Sequence, residues 1–195
     1  MVLFKTNLNK MKKTIFIFLI AVFSVYIQGC LTVETKEYTF KVKKDGSGEA
    51  TVKFINIMTD SKDSAGVPES DYNELIDSYL NGEKLTEDFP GAKNMKKRLF
   101  EEGNQLCGEV KFEFDDITNF KFYKYKDKGP WCYYLSPGMF GGEQYFSSNG
   151  TFGGENMPVV FWDVDQKTFQ LKTTVTQPAK NTMSLVEIWK SKGGK

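Results

Sequence analysis

Residues 38–54 read Tyr-Thr-Phe-Lys-Val-Lys-Lys-Asp-Gly-Ser-Gly-Glu-Ala-Thr-Val-Lys-Phe, and this stretch decides the fold. Tyr38, Phe40 and Val42 alternate with Thr39, Lys41 and Lys43, the period of a strand with one apolar and one polar face. Lys44-Asp45-Gly46-Ser47-Gly48 supplies turn residues, with glycine free to take positive φ. Ala50, Val52 and Phe54 then alternate again, and Ile55 and Ile57 continue on the other face. The pattern is a β-hairpin.

Most of the chain downstream repeats this style. Residues 93–102 and 106–114 read as two strands joined by a tight turn at Glu102-Gly103-Asn104, with Val110, Phe112 and Phe114 on one face. Asp116 can cap one helical turn over 117–119. Residues 120–126 hold two alternations out of phase, as a β-bulge would produce. Short strands are expected over 131–135 and 144–147, and a last hairpin over 159–164 and 168–176. Residues 185–189 suit one or two helical turns.

One helix stands out at 70–80. Tyr72, Leu75, Ile76, Tyr79 and Leu80 form a stripe along one side, Ser70 or Glu69 can cap it, and Asn81-Gly82 stops it. Asp71, Asn73, Glu74, Asp77 and Ser78 are expected to face water. Residues 85–91 read as a turn-rich link. The expected fold class is α+β: a curved antiparallel sheet of roughly six to eight strands, with this helix packed on one face and a signal-peptide helix in front. With 17 Phe, 9 Tyr and 3 Trp, the composition favours strands as well.

Residues 11–29, MKKTIFIFLIAVFSVYIQG, have a basic start, an apolar middle over 14–27 and a small residue, Gly29, directly before Cys30. This has the form of a secretory signal and resembles a bacterial lipobox. In lipoproteins of that kind the thiol takes a diacylglyceryl group, cleavage falls between the residues equivalent to Gly29 and Cys30, and the new amino end is acylated. The expectation is therefore a signal peptide over 1–29 and a single lipoprotein domain over 30–195, hanging from Cys30 by the segment 31–36. Met1–Lys10 reads as a mis-called start or a dispensable extension. An uncut membrane anchor and plain secretion are the alternatives, but a 14-residue apolar helix of about 21 Å falls short of the ~30 Å hydrocarbon core. Leu31 is not the aspartate of an inner-membrane retention signal, which points to the outer membrane if the host is Gram-negative.

Four of the 26 basic residues and none of the 25 acidic ones lie in 1–29, so residues 30–195 carry 22 bases and a net charge of −3. No basic stripe marks a nucleic-acid surface. The absence of histidine removes the commonest general base and zinc ligand. The carboxylate pairs Asp115-Asp116, Asp163 with Asp165, and Glu101-Glu102 sit in no recognisable motif, and the acidic loop 60–63 lacks the spaced ligands of a calcium site. No catalytic, metal or cofactor residue is assigned, and no enzyme is expected. With Cys30 taken by lipid, Cys107 and Cys132 form an even remainder in an exported chain and read as one disulfide, two buried free thiols being the alternative.

Residues 137–156 are glycine-rich and repeat Phe-Gly-Gly-Glu at 140–143 and 152–155, which reads as matching turns around a short strand. Phe120, Phe122, Tyr123, Tyr125, Trp131, Tyr133, Tyr134, Tyr145, Phe146, Phe161 and Trp162 exceed what one face of a small sheet must bury. Either both faces of the sheet are covered, or the surplus lines an apolar groove or an interaction surface.

The order of elements resembles the LppM-type domain of bacterial envelope lipoproteins. The shared features are a lipobox cysteine, a first strand with the Asp45-Gly46-Ser47-Gly48 turn, a helix, a hairpin ending in Phe112-Glu113-Phe114-Asp115-Asp116-Ile117, and a late Phe161-Trp162 strand. The resemblance implies an α+β, non-catalytic, lipid-handling domain with no catalytic residues to carry over. The chain departs from that pattern in residues 137–156, in the extra cysteine pair and in lacking a C-terminal membrane segment. Two functions follow as expectations. One is a membrane-held module that binds a lipid or other apolar ligand between sheet and helix. The other is an assembly lipoprotein whose aromatic surface meets a glycan or another envelope protein.

Overall fold

The computed structural model describes residues 31–60, 62–124, 126, 128–135 and 142–194. The predicted signal segment, Gly29 and Cys30 lie outside these, as do Tyr125 and the Phe140-Gly141 pair that opens the first copy of the repeat. The predicted hairpin is present: β1 (Leu31–Val42) pairs antiparallel with β2 (Gly48–Thr59). At the turn, Gly46 takes φ 87°, and Asp45 Oδ1 accepts from the Ser47 amide at 3.1 Å and its hydroxyl at 2.8 Å.

The fold is mostly β. Among the described residues eleven antiparallel strands form two sheets: the larger has seven strands, within the six to eight expected, and the second, four-stranded sheet is an addition to that expectation. The large sheet has the order β3 (Lys93–Glu102), β4 (Gln105–Phe114), β2, β1, β10 (Thr168–Thr174), β7 (Gln144–Ser148), and β11 (Met183–Ser184) adds to β2. The small sheet runs β5 (Phe122–Lys124), β6 (Trp131–Tyr134), β9 (Val159–Trp162), β8 (Thr151–Phe152).

The large sheet turns Tyr38, Phe40, Val52, Val110, Phe112, Phe114 and Phe169 onto one face, and the small sheet lays Phe122, Val160 and Trp162 against them. Phe40 is the hinge of that core, with ring centroids 6.0 Å from Phe114, 5.8 Å from Phe120 and 5.0 Å from Phe122. The aromatic surplus is therefore largely the second layer of a sandwich. The opposite face of the large sheet carries ion pairs such as Lys41–Glu49 at 2.8 Å and Lys172–Glu37 at 2.9 Å.

Four expectations need correction. Residues 159–176 do not form a hairpin, because β9 pairs with β6 and β8 while β10 pairs with β1 and β7. Trp162 and Phe169 face each other across the two layers, 5.2 Å apart, so the turn between them carries the chain from one sheet to the other. The phase change near residue 121 is not a bulge. Phe120 ends a 3-10 turn (Ile117–Phe120) capped by Asp116, and Lys121 at φ 66° restarts the chain as β5.

The predicted helix begins earlier, as α1 (Val67–Glu74) capped by Gly66, and continues as a π-helical segment, Leu75–Leu80. Asp71, expected to face water, is instead buried. Gly82 follows because of space, since an added Cβ would meet the Asp77 carbonyl at 2.6 Å. The link at 85–91 contains another short helix, α2 (Lys84–Asp88), and α3 (Val186–Ser191) supplies the terminal helical turns. Among the described residues no helix is long and apolar enough to cross a membrane.

The fourth correction concerns the disulfide. Both cysteines are free thiols. On β4, Leu106, Val110, Phe112 and Phe114 join the core, so the alternation puts Cys107 on the opposite face of the sheet with Glu109 and Lys111, where it is still buried. On β6, Tyr133 packs inward against Phe122, so Cys132 also turns outward, on the other layer. Packed sheets lie about 10 Å apart, whereas a disulfide needs Cα atoms within roughly 4.4–6.8 Å. Full burial pushes the Cys107 thiol pKa up, and partial burial does the same for Cys132. The expected result is that Cys107 and Cys132 both titrate as free thiols when the unreduced chain is unfolded. In the native chain only Cys132 reacts, and slowly. An unfolded, unreduced chain with neither thiol titratable would contradict this placement.

Candidate functional site

The small sheet covers only part of the large sheet's apolar face. At the other end, where β1 begins, a second apolar cluster of Ile57, Tyr72, Leu75, Leu106, Leu185, Val186 and Trp189 packs α1 and α3 onto the sheet. Between the sheet and the π-helical segment lies a cleft of about 220 Å³. Leu31, Val33, Phe54, Ile57 and Leu99 line it from the sheet, and Leu75, Tyr79 and Leu80 from the helix. A larger hollow of about 660 Å³ lies along Lys41, Glu49, Asn94, Lys96, Lys111 and Glu113. Its charged lining suits water rather than an apolar ligand.

The cleft has local causes. A π-helix closes its hydrogen bonds between residues five apart, as in the 2.9 Å bond from the Asn81 amide to the Ile76 carbonyl, and π segments recur at functional sites. Here it sets Leu75, Tyr79 and Leu80 on the cleft side. Lys97 of β3 reaches across and donates to the Tyr79 carbonyl at 2.9 Å and the Gly82 carbonyl at 2.5 Å, satisfying acceptors that a helix end leaves open. On the floor, Gly108 leaves room where a side chain would stand. A Cβ there would lie 3.4 Å from Ile57, 3.6 Å from Leu99 and 3.7 Å from Phe54.

The mostly apolar lining also includes the charged residues Asp88, Lys97, Arg98, Glu109 and Lys36, the last 5.8 Å from the Phe54 ring centroid. Lys36 donates to Glu143 Oε1 at 2.9 Å, and the Tyr38 hydroxyl donates to the same carboxylate at 2.8 Å. Thr173 donates to Oε2 at 2.7 Å. Burial pushes the Glu143 pKa up, but the Lys36 charge and the three hydrogen bonds outweigh it and hold the carboxyl below its ordinary value. Burial, reinforced by the Glu143 charge, pushes the Tyr38 hydroxyl well above its own. Glu143 closes the first Phe-Gly-Gly-Glu copy, so part of the glycine-rich stretch is locked to β1 and β10.

Two of the three acidic pairs singled out in the sequence are spent on structure. Asp116 caps its turn, Asp115 pairs with Lys93, Glu101 with Lys190, and Glu102 with Lys53. Among the described residues no three His, Cys, Asp or Glu groups gather as metal ligands would. The segment 31–36, expected to be a tether, is the first half of β1. Thr59 pairs with Leu31 and Ile57 with Val33, so Leu31 and Val33 are cleft wall. That role was missed in the sequence, although Leu31-Thr32-Val33 carries apolar and β-branched residues that favour a strand.

No protein-family model, curated protein or solved structure matches the chain.

The lowered Glu143 pKa makes stability depend on pH. The contribution is present above the ordinary glutamate pKa of about 4.3 and is lost as pH falls through the lower folded value. Glu143→Gln is expected to cost about 1–3 kcal/mol at pH 7 and to flatten the loss of stability below pH ~4.3, read by denaturant unfolding across that range. An unchanged acid limb in the variant would show that the carboxylate is not held this way.

Proposed function

We propose that the chain is a non-catalytic, membrane-anchored envelope lipoprotein, acylated at Cys30, whose cleft holds an aliphatic chain. The reading rests chiefly on the cleft itself, an apolar slot between sheet and helix whose wall starts at Leu31, one residue after the lipobox cysteine. The resemblance to LppM-type domains, with their lipid-handling role, supports the same reading. The expected anchor puts the cleft end of the molecule against the bilayer. The small sheet packs around Phe40, nine residues along β1 and about 30 Å further out.

A second reading is favoured by the outer face of that small sheet. Tyr123 is 59% exposed and Tyr134 is 57% exposed, and Tyr123 pairs through Cys132 with Phe161 in one cross-strand row. Rings left in water on one face of a sheet suit contact with another envelope protein. The two readings use different residues and separate cleanly.

Feeding the host a photoreactive fatty acid, irradiating, and mapping adducts on the full chain tests the proposal. Adducts are expected on the peptides carrying Leu75 and Leu99, and they should disappear in Gly108→Leu, which fills the floor. Label confined to Cys30, with the cleft peptides unmodified, would contradict the binding reading. Retention of one envelope protein, lost in Tyr123→Ser with Tyr134→Ser, would decide for the second.

A further inference from the structure

Resting on the acylation and cleft readings above, we infer that the cleft's occupant is one of the acyl chains carried by Cys30 of the same molecule. The first consideration is attachment. Cys30 is joined directly to Leu31 by a peptide bond, and Leu31 and Val33 are themselves cleft wall. The start of β1 gives no slack. Leu31 pairs with the fully buried Thr59, and the Thr32 and Thr176 hydroxyls hydrogen-bond at 2.5 Å. A lipid on Cys30 therefore begins at the edge of the slot instead of on a flexible leash.

Size is the second consideration. At about 220 Å³ the cleft is below the usual 300–1,000 Å³ of small-molecule sites, so it takes one slender chain and not a two-tailed lipid. A lipoprotein cysteine with three chains can spare one and keep two in the membrane, and two are enough for a stable hold.

Competition is the third. Moving a methylene chain from a bilayer into an apolar slot exchanges one apolar medium for another, so the hydrophobic effect hardly discriminates between sources. Occupancy then follows local concentration. A tethered chain is present at an effective concentration in the millimolar range or above, which favours it over a single-chain lipid that must be captured from outside. The result would fix the orientation of the body on the bilayer, because a seated chain clamps the β1 end of the sheet to the membrane surface.

The test uses the full chain in its host, grown with a photoreactive fatty acid that enters the lipoprotein acyl groups, then irradiated and digested. The expected product is an internal cross-link joining the Cys30 peptide to the peptide carrying Leu75 or Leu99. Gly108→Leu should lose that product while keeping the label on Cys30. Cleft peptides joined instead to a free phospholipid or fatty acid would overturn this inference and leave the cleft reading standing. A labelled Cys30 with no cleft adduct of any kind would overturn both. No label on the chain would overturn acylation, and this inference with it.

Discussion

The contact between Phe40 and the rings of Phe114, Phe120 and Phe122 is what the rest of the molecule is arranged around. β1 is a central strand, paired on both sides, and its inward residues Tyr38, Phe40 and Val42 carry the centre of the large sheet. Phe122 and Trp162 come from the small sheet and stack towards Phe169, at 5.5 and 5.2 Å. Rings of this size each bury 150–250 Å² and prefer offset or tilted contacts, so a handful of them can hold two layers together. Removing the Phe40 ring would leave the small sheet resting on a cavity, at a cost of about 3–5 kcal/mol for a change of that type.

That arrangement leaves one end of the apolar face without a second sheet, and α1 with α3 completes it less closely. Helices are rounder than sheets, and the π-helical turn widens the gap where Lys97 caps it. Gly108 then keeps the floor open. Interiors normally close voids of this size, because unfilled space forfeits dispersion contacts. A slot maintained by a glycine and a π segment is a more specific feature than loose packing. On its polar side the Lys36–Glu143–Tyr38–Thr173 cluster is fully hydrogen-bonded, so the carboxylate is compensated there.

Much of the fold could be read from local alternation. The β1–β2 hairpin, the β3–β4 hairpin with Gly103 and Asn104 both at positive φ, and the Asp116 cap all stand where short-range rules put them. What could not be read was which layer each strand joins. Val159–Trp162 and Thr168–Thr174 look like hairpin partners because only a few residues separate them. Their separation into two sheets goes with Trp162 packing on Phe169 across the layers, a tertiary packing choice that strand alternation does not encode. The cysteine pair failed for the same reason, since counting thiols says nothing about which face of which sheet they occupy. The cleft was half legible: the helix stripe indicated one wall, while Leu31, Val33, Leu99 and Gly108 acquire their role only from register.

On the proposed function, an aliphatic chain occupies the slot between β1 and the π segment. The most direct measurement is nuclear Overhauser contact between acyl methylenes and methyl-labelled leucines of the acylated chain in lipid nanodiscs. Methylene contacts to Leu75 and Leu99 inside the slot are the expected result. Methylene contacts confined to residues outside it, with the Leu75 and Leu99 methyls seeing only protein and water, would contradict it.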